Sequence, residues 1–268
     1  MKALLPILSI LLYSAAAYLL LRRLAAGIES GRHSKILALS LGLFAALLHL
    51  FVLRNQILVP QGLNLGFFHV LSLTSWLGAV IVLFSALKRP VENLAIVVLP
   101  FTAVALLLQS TVSGGEMQVV VPASGLRAHI LLSIFSYSLL AIAALQALLL
   151  AVQNRHLRNR HPGGFVRALP PLETMEQLLF QMIGVGYILL SLSLLSGATY
   201  IEDIFAQHLV HKTVLSLAAW LVFAVLLWGR WRYGWRGRVA IRWTLIGFVA
   251  LMMAYFGSKL VLELILHR

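Results

Sequence analysis

Eight apolar runs of helical length constrain this chain more than any other feature of its sequence. They span residues 3–21, 36–53, 65–87, 94–109, 129–152, 177–200, 213–228 and 243–262. Each is close to the ~20 residues that an α-helix needs to cross a hydrocarbon core. With 11% charged residues, the chain has too little charge to cover a soluble surface. We therefore predict an all-α fold, a polytopic membrane helical bundle of eight transmembrane helices in one integral membrane domain, residues 1–268.

The basic residues are distributed unevenly between these runs. The first, third, fifth and seventh connections hold 15 of the 21 Lys and Arg residues. By the positive-inside rule these connections face the cytoplasm, and both termini are periplasmic. We therefore predict a multi-pass protein of a bacterial inner (cytoplasmic) membrane. The net charge of +13 then reflects topology and contact with anionic lipid headgroups of the bilayer, and we expect no nucleic-acid partner.

The chain contains no cysteine, and this limits its metal chemistry. Disulfides, thiolate zinc sites, cysteine-held iron–sulfur clusters and a Cys-X-X-Cys redox motif are all excluded. A bound metal or haem would have to use His, Met, Tyr or carboxylate ligands. The sequence also lacks the patterns of a nucleophilic triad, a phosphate loop or a paired-carboxylate hydrolase.

Six of the nine histidines fall near the predicted outer boundary of the membrane. These are His49, His69, His129, His208, His211 and His267. Histidine in or beside the hydrocarbon zone often has a functional partner, although each one alone is better explained as a solvated interfacial side chain. A neutral imidazole can ligate haem iron, and two imidazoles from different helices can hold one haem. The pattern therefore predicts a haem site at the outer face.

The polar break at residues 200–212 lies between two apolar runs and permits two interpretations. His208 and His211 are three residues apart, so on a helix they share one face and can serve as haem ligands. Together with Glu202 and Asp203 they can instead bind a divalent ion such as zinc. Aromatic side chains nearby can stack on a porphyrin or belong to the ordinary interfacial belt. The candidates are Tyr200, Phe205 and Trp220.

Small polar residues inside the apolar runs form a separate group. Ser191, Ser193, Ser196 and Ser216 occur in the sixth and seventh runs. In lipid, such residues commonly form hydrogen bonds between packed helices. We therefore expect them to cross-link helices rather than to act as nucleophiles.

Three stretches of the chain carry a resemblance to a known family. The first is Gly-Leu-Arg-Ala-His-Ile-Leu-Leu-Ser-Ile-Phe-Ser-Tyr at residues 125–137. The second begins with Leu-Pro-Pro-Leu-Glu at residues 169–173, and the third contains Gly-Trp-Arg-Gly-Arg at residues 234–238. On these stretches the chain resembles the cytochrome c assembly protein family of the CcsA/CcmC/CcmF type. It is most similar to the short branch of HemX- and YpjD-like inner-membrane proteins.

The resemblance implies a haem site on the outer face. His129 matches the first axial histidine of the family, and His267 falls where the second lies. The tryptophan-rich loop of the family aligns with residues 200–212, which contain no tryptophan. The expected function is therefore haem binding or handling, accessory to cytochrome c assembly or haem homeostasis. We expect no enzyme, because ligase activity would need a partner.

Two alternatives stay open at this point. The chain can be a non-catalytic membrane partner or regulatory subunit of a transporter or a haem-biosynthesis enzyme, bound through its basic connections. It can also hold a divalent-metal site in a transporter, using His208 and His211 with neighbouring carboxylates. Charged or broken helices near the midplane, which many transporters have, are not evident in the sequence.

Overall fold

The computed structural model describes residues 4–26, 32–59, 62–112, 118–119, 124–159, 169–200 and 207–257. Within these ranges, eight helices are long and apolar enough to cross a membrane, which confirms the predicted fold class. The helices are α1 Leu4–Ala26, α2 Arg32–Ile57, α3 Phe67–Lys88, α4 Glu92–Thr111, α5 Ser124–Arg158, α6 Leu172–Tyr200, α7 Gln207–Tyr233 and α8 Gly237–Met252, which continues as a π-helix over Met253–Gly257.

The chain divides into two compact units. Unit 1 comprises residues 1–120 and 162–170, and unit 2 comprises residues 121–161 and 171–268. The sequence predicted one integral membrane domain, and that remains a prediction. Each unit contains four of the helices.

Unit 1 is a four-helix bundle in which α1 packs on α2 and α4, and α3 packs on the same two helices. Its core is built from Leu, Ala and Val side chains, including the fully buried Leu39, Leu83 and Leu99. Large apolar side chains also point outward, such as Leu11, which is 62% exposed. Such an outer surface suits lipid and not water, because a soluble protein rarely exposes large apolar patches.

One end of unit 1 carries an ion cluster. Glu92, in the first turn of α4, accepts from Arg23 at 3.2 Å and from Lys35 at 2.7 Å. Arg23 lies at the end of α1 and Lys35 near the start of α2. The first and third connections of the chain therefore lie at the same end of the bundle, as the distribution of charge predicts.

A small antiparallel sheet was not predicted. It consists of β1 Leu58–Val59, β2 Gly62–Asn64 and β3 Gln118–Val119, in that order. Leu63 pairs with Leu58 on one side and with Val119 on the other. Strands of two or three residues are too short to show an alternating pattern in the sequence.

Unit 2 is a second bundle, in which α5 packs on α6 and α8 while α7 packs on the same two helices. Helix α6 begins at Leu172, directly after Pro170-Pro171, because proline is favoured at the start of a helix and not inside it. The hydroxyl of Ser136 donates to the carbonyl of Gly186 at 3.0 Å, which ties α5 to α6 halfway along their length.

Candidate functional site

His129 lies in the second turn of α5 and is half-buried against α6. Its Nδ1 atom is 3.0 Å from the carbonyl oxygen of Ser193 and 3.1 Å from the hydroxyl oxygen of Ser196. Both partners are on α6, so the imidazole bridges the two helices. The structure therefore places the first predicted ligand at a helix–helix contact with one ring nitrogen held.

Three serines surround this imidazole, and their hydrogen bonds have defined directions. The hydroxyl of Ser133 donates to the carbonyl of His129 at 2.8 Å. Because a hydroxyl has one proton, the 2.7 Å bond between Ser133 and Ser193 must be donated by Ser193. The hydroxyl of Ser196 donates to the carbonyl of Ser193 at 2.8 Å. Ser193 contacts Ser133 and Ser196 contacts His129, and both contacts join α6 to α5. They confirm the predicted helix-linking role of Ser193 and Ser196.

These bonds assign the tautomer of the neutral His129 ring. A carbonyl oxygen can only accept, so the proton must be on Nδ1, where it is shared between the Ser193 carbonyl and Ser196. The lone pair is then on Nε2. Among the described residues, Nε2 has no hydrogen-bond partner. A ring held through Nδ1–H by a backbone carbonyl is the usual arrangement of a metal-ligating histidine.

Trp220, predicted to line a porphyrin, lies on a different side of α6. Its Nε1 donates to the hydroxyl of Ser191 at 2.8 Å, and its ring stacks on that of Tyr187 with centroids 5.5 Å apart. Ser191 and Ser193 are separated by about 200° around the helix, at about 100° per residue. Trp220 and His129 therefore contact nearly opposite faces of α6, and the structure does not bring them together. Its role as a porphyrin contact stays a prediction.

The other predicted site residues either lie outside the described part of the chain or have side chains that the structure does not describe. His267 and Phe205 lie outside it, as do Glu202 and Asp203 of the alternative divalent-ion site. Tyr200 is the last residue of α6, and its side chain is not described. His208 and His211 are in the first turns of α7, and their side chains are likewise not described. Among the residues that are described, no three His, Asp or Glu side chains converge into a metal site.

Sequence reasoning missed a buried polar network around His49 in unit 1. His49 is fully buried, and its Nε2 is 2.9 Å from the hydroxyl of Ser72. Its Nδ1 is 3.4 Å from the hydroxyl of Tyr13, whose ring meets the imidazole edge-on. The hydroxyl of Ser75 donates to the carbonyl of Ser72. The hydroxyl proton of Thr102 is shared between the carbonyl of Ser75 at 3.1 Å and that of Val98 at 2.9 Å. The network therefore joins all four helices of unit 1.

The only signal of this network in the sequence is the presence of polar residues inside apolar runs. Tyr13, Ser72 and Thr102 each lie within a predicted span. A polar group buried in an apolar interior must find a partner, so these residues are expected to bond to something. Sequence spacing cannot show which helices supply the partners, because the three lie in different spans.

The chain matches one family model over most of its length. The model described as "Cytochrome C assembly protein" matches residues 37–266, which is most of the chain. Among relatives, the chain is 35% identical over 231 residues to the inner membrane protein YpjD of Escherichia coli strain K12, covering 85% of this chain and 88% of the relative.

Two further relatives are more distant. An uncharacterized 28.8 kDa protein of Azospirillum brasilense is 33% identical over 192 residues, covering 68% of this chain and 69% of that protein. The cytochrome c biogenesis protein CcsA of Chlamydomonas reinhardtii is 27% identical over 137 residues, covering 50% of this chain and 38% of that protein. No solved structure matches the chain significantly. By the family match and the similarity to YpjD, this multi-pass membrane chain belongs to the cytochrome c assembly protein family.

Proposed function

We propose that this protein binds haem at the periplasmic face of a bacterial inner membrane, as an accessory to cytochrome c biogenesis or haem homeostasis. His129 is one axial ligand and His267 the other, with His208 or His211 as the alternative second ligand. Tyr200, Phe205 and Trp220 are the proposed aromatic contacts. The CcsA relatives, named as cytochrome c biogenesis proteins, support the biological role.

The proposal depends mainly on the state of the His129 ring. Its Nδ1–H is held by the Ser193 carbonyl and by Ser196, so Nε2 carries the lone pair that a metal requires. This donor fits haem iron, which commonly takes a neutral imidazole as an axial ligand. Haem, when bound, supplies redox-active iron, while the protein's own residues hold and orient the group.

The length of α5 supports the placement of His129 at the outer face. Arg155 and Arg158 are exposed at the far end of this helix. At about 1.5 Å per residue, Arg158 is ~44 Å from His129 along the axis. The hydrocarbon core is only ~30 Å thick. If the arginines lie at the cytoplasmic surface, as the positive-inside rule predicts, His129 lies at the opposite surface. The predicted periplasmic termini are part of the same proposal.

An absorption spectrum of the detergent-purified protein tests haem binding. We expect haemin to give a Soret band that stays with the protein through gel filtration, and we expect the His129→Ala variant to lose it. His156→Ala is the matched control, because His156 is on the same helix and its Nδ1 contacts the carbonyl of Val152 at 2.9 Å. If no band survives gel filtration, or if both variants retain it equally, the proposal is wrong.

The second ligand is identified by the same measurement. His267→Ala, His208→Ala and His211→Ala are prepared separately, each with a haemin titration. We expect His267→Ala to convert a six-coordinate spectrum into a five-coordinate one. A six-coordinate spectrum that persists in His267→Ala and is lost in His208→Ala or His211→Ala would move the second ligand to the start of α7.

A further inference from the structure

The turn that connects α7 to α8 is held rigidly by one arginine. The guanidinium of Arg230 donates to the carbonyl of Trp235 at 3.2 Å. The same guanidinium lies over the ring of Phe180 on α6, 4.7 Å from its centroid. A cation placed over an aromatic face in this way is stabilised by the ring quadrupole. Arg230 is therefore a structural residue that fixes the turn against α6.

Aromatic stacking fixes the other side of the turn. The ring of Trp235 stacks on Tyr233 at 6.5 Å and on Trp243 at 5.7 Å between centroids. Trp235 also covers Gly229 so closely that an added Cβ there would lie 2.4 Å from the indole. The turn itself begins at Gly234, whose φ of +67° favours glycine. The backbone of the turn is thus held in one conformation.

The remaining arginines of this segment are exposed, and none of them forms an ion pair with a described residue. Residues 228–243 contain five arginines and no Asp or Glu. The carboxylate of Glu176 contacts the turn through its backbone, because it accepts from the N–H of Gly237 at 2.7 Å, at the start of α8. Within the described part of the chain, no ion pair involves the four exposed arginines. These four are Arg232, Arg236, Arg238 and Arg242.

We infer that these four arginines, called here the arginine cluster, form a binding site for the phosphodiester headgroup of an anionic phospholipid. Arg238 and Arg242 are four residues apart on α8 and share a face, while Arg236 precedes that helix with an extended backbone. Guanidinium groups donate pairs of parallel hydrogen bonds to phosphate oxygens. Because Arg230 and the stacked rings fix the turn, little backbone entropy is lost when a headgroup binds.

The exposed aromatic residues beside the arginine cluster favour a lipid over other anions. Trp231 is 82% exposed, Tyr233 is 61% exposed and Trp228 is 53% exposed. Trp and Tyr at the end of a membrane span lie at the level of the headgroups. Basic residues next to them then meet lipid phosphates, and each contributes to the attraction of an anionic leaflet. A soluble anion would make no use of these rings.

Native mass spectrometry of the delipidated protein tests this site. Phosphatidylglycerol and phosphatidylcholine are added at equal concentration, and bound lipid is counted per protein. We expect a preference for phosphatidylglycerol that falls about tenfold in the Arg236→Gln/Arg238→Gln variant. The matched control is Arg155→Gln/Arg158→Gln, which removes the same charge from exposed positions at the end of α5. We expect that control to change the preference less than twofold. Circular dichroism verifies that both variants remain helical.

Three outcomes would overturn the inference. One is an equal loss of bound phosphatidylglycerol in the Arg236→Gln/Arg238→Gln and Arg155→Gln/Arg158→Gln variants, because the binding would then depend only on the net charge of the protein. Another is displacement of the lipid by inorganic phosphate at the same concentration, which would make the cluster a site for free phosphate. The third is an acidic protein that stays bound after delipidation and is lost from the Arg236→Gln/Arg238→Gln variant, because the partner would then be a protein.

Discussion

His49 in unit 1 and His129 in unit 2 are both histidines near the ends of membrane helices, yet their surroundings differ in kind. His49 is fully buried, and each of its ring nitrogens faces a hydroxyl group. His129 is half-buried, and one of its nitrogens faces a backbone carbonyl. A hydroxyl can donate or accept, whereas a carbonyl can only accept. The partners therefore leave the tautomer of His49 open and fix that of His129.

This difference distinguishes a histidine that serves packing from the histidine that we propose as a haem ligand. Both nitrogens of His49 are used within the protein, so coordinating a metal would require breaking a buried hydrogen bond. Nε2 of His129 forms no hydrogen bond with a described residue, so a metal could bind it without breaking any of the hydrogen bonds described for this ring. Counting histidines at a membrane boundary cannot make this distinction, but the hydrogen-bond partners of each ring nitrogen do.

The largest expected effect comes from His49→Ala. This change leaves the buried hydroxyls of Tyr13 and Ser72 without their partner and opens a cavity between helices. We expect it to lower the free energy of unfolding by about 3 kcal/mol, while the haemin bound per folded protein stays unchanged. Thermal unfolding in detergent and the Soret absorbance measure the two quantities.

His129→Ala should show the reverse pattern, with haem lost and stability nearly kept. A His49→Ala protein that folds normally but binds no haemin would contradict the division of roles.

Ser196→Ala sharpens the comparison from the side of His129. Removing this hydroxyl takes away one of the two oxygens that accept from Nδ1–H of His129, and the Ser193 carbonyl remains as the other. Outer partners of metal-ligating histidines typically change affinity by about 10- to 100-fold. Because one acceptor remains, we expect haemin affinity to fall about tenfold, measured by titration. Ser40→Ala is the control, since the exposed hydroxyl of Ser40 donates to the carbonyl of Leu37 within α2 of unit 1. Equal affinity in the two variants would show that Ser196 does not orient the ring.

A smaller effect, on the free energy of unfolding, is expected from the hydrogen bond between Ser133 and Ser193. A double-mutant cycle with Ser133→Ala and Ser193→Ala isolates this bond, which joins α5 to α6 at 2.7 Å. Interhelical hydrogen bonds in membrane proteins average about 0.6 kcal/mol, and we expect a coupling energy of that size in the free energy of unfolding. A coupling energy of zero would mean that this hydrogen bond does not stabilise the fold and serves only to position the groups around His129.

The smallest expected effect is that of Tyr13→Phe. The Tyr13 hydroxyl is 3.4 Å from Nδ1 of His49, a long contact that contributes little. We expect a loss in unfolding free energy of about 0.5 kcal/mol, below the loss in Ser72→Ala, whose hydroxyl is 2.9 Å from the ring. Thermal unfolding of the two variants side by side gives the order. The reverse order would make Tyr13 the main support of His49.

Much of the fold follows from the sequence because it depends on local patterns. Eight apolar runs give eight helices, and Pro170-Pro171 gives the start of α6. The helix-linking serines were also predicted, since small polar residues in an apolar run have few other partners. These inferences use only the spacing of residue types within one span.

The site was predictable only in part. His129 was found through its position at the start of a span and through the family resemblance, but its contacts with Ser193 and Ser196 depend on how two helices align. The network around His49 was missed for the same reason, because Tyr13, Ser72 and Thr102 lie in three different spans. Contacts between distant segments depend on the rotation of each helix, which a run that is apolar on every face does not specify.

The π-helical segment at the end of α8 affects how residues are counted along the chain. Over Met253–Gly257 the backbone bonds from residue i to i+5, so each turn takes up more residues than in an α-helix. The carbonyl of Leu251, just before this segment, accepts from the hydroxyl of Tyr137 at 3.0 Å. A homologue with a regular α-helix here would reach the same height with fewer residues. An alignment with such a homologue therefore needs a one-residue gap within Met253–Gly257.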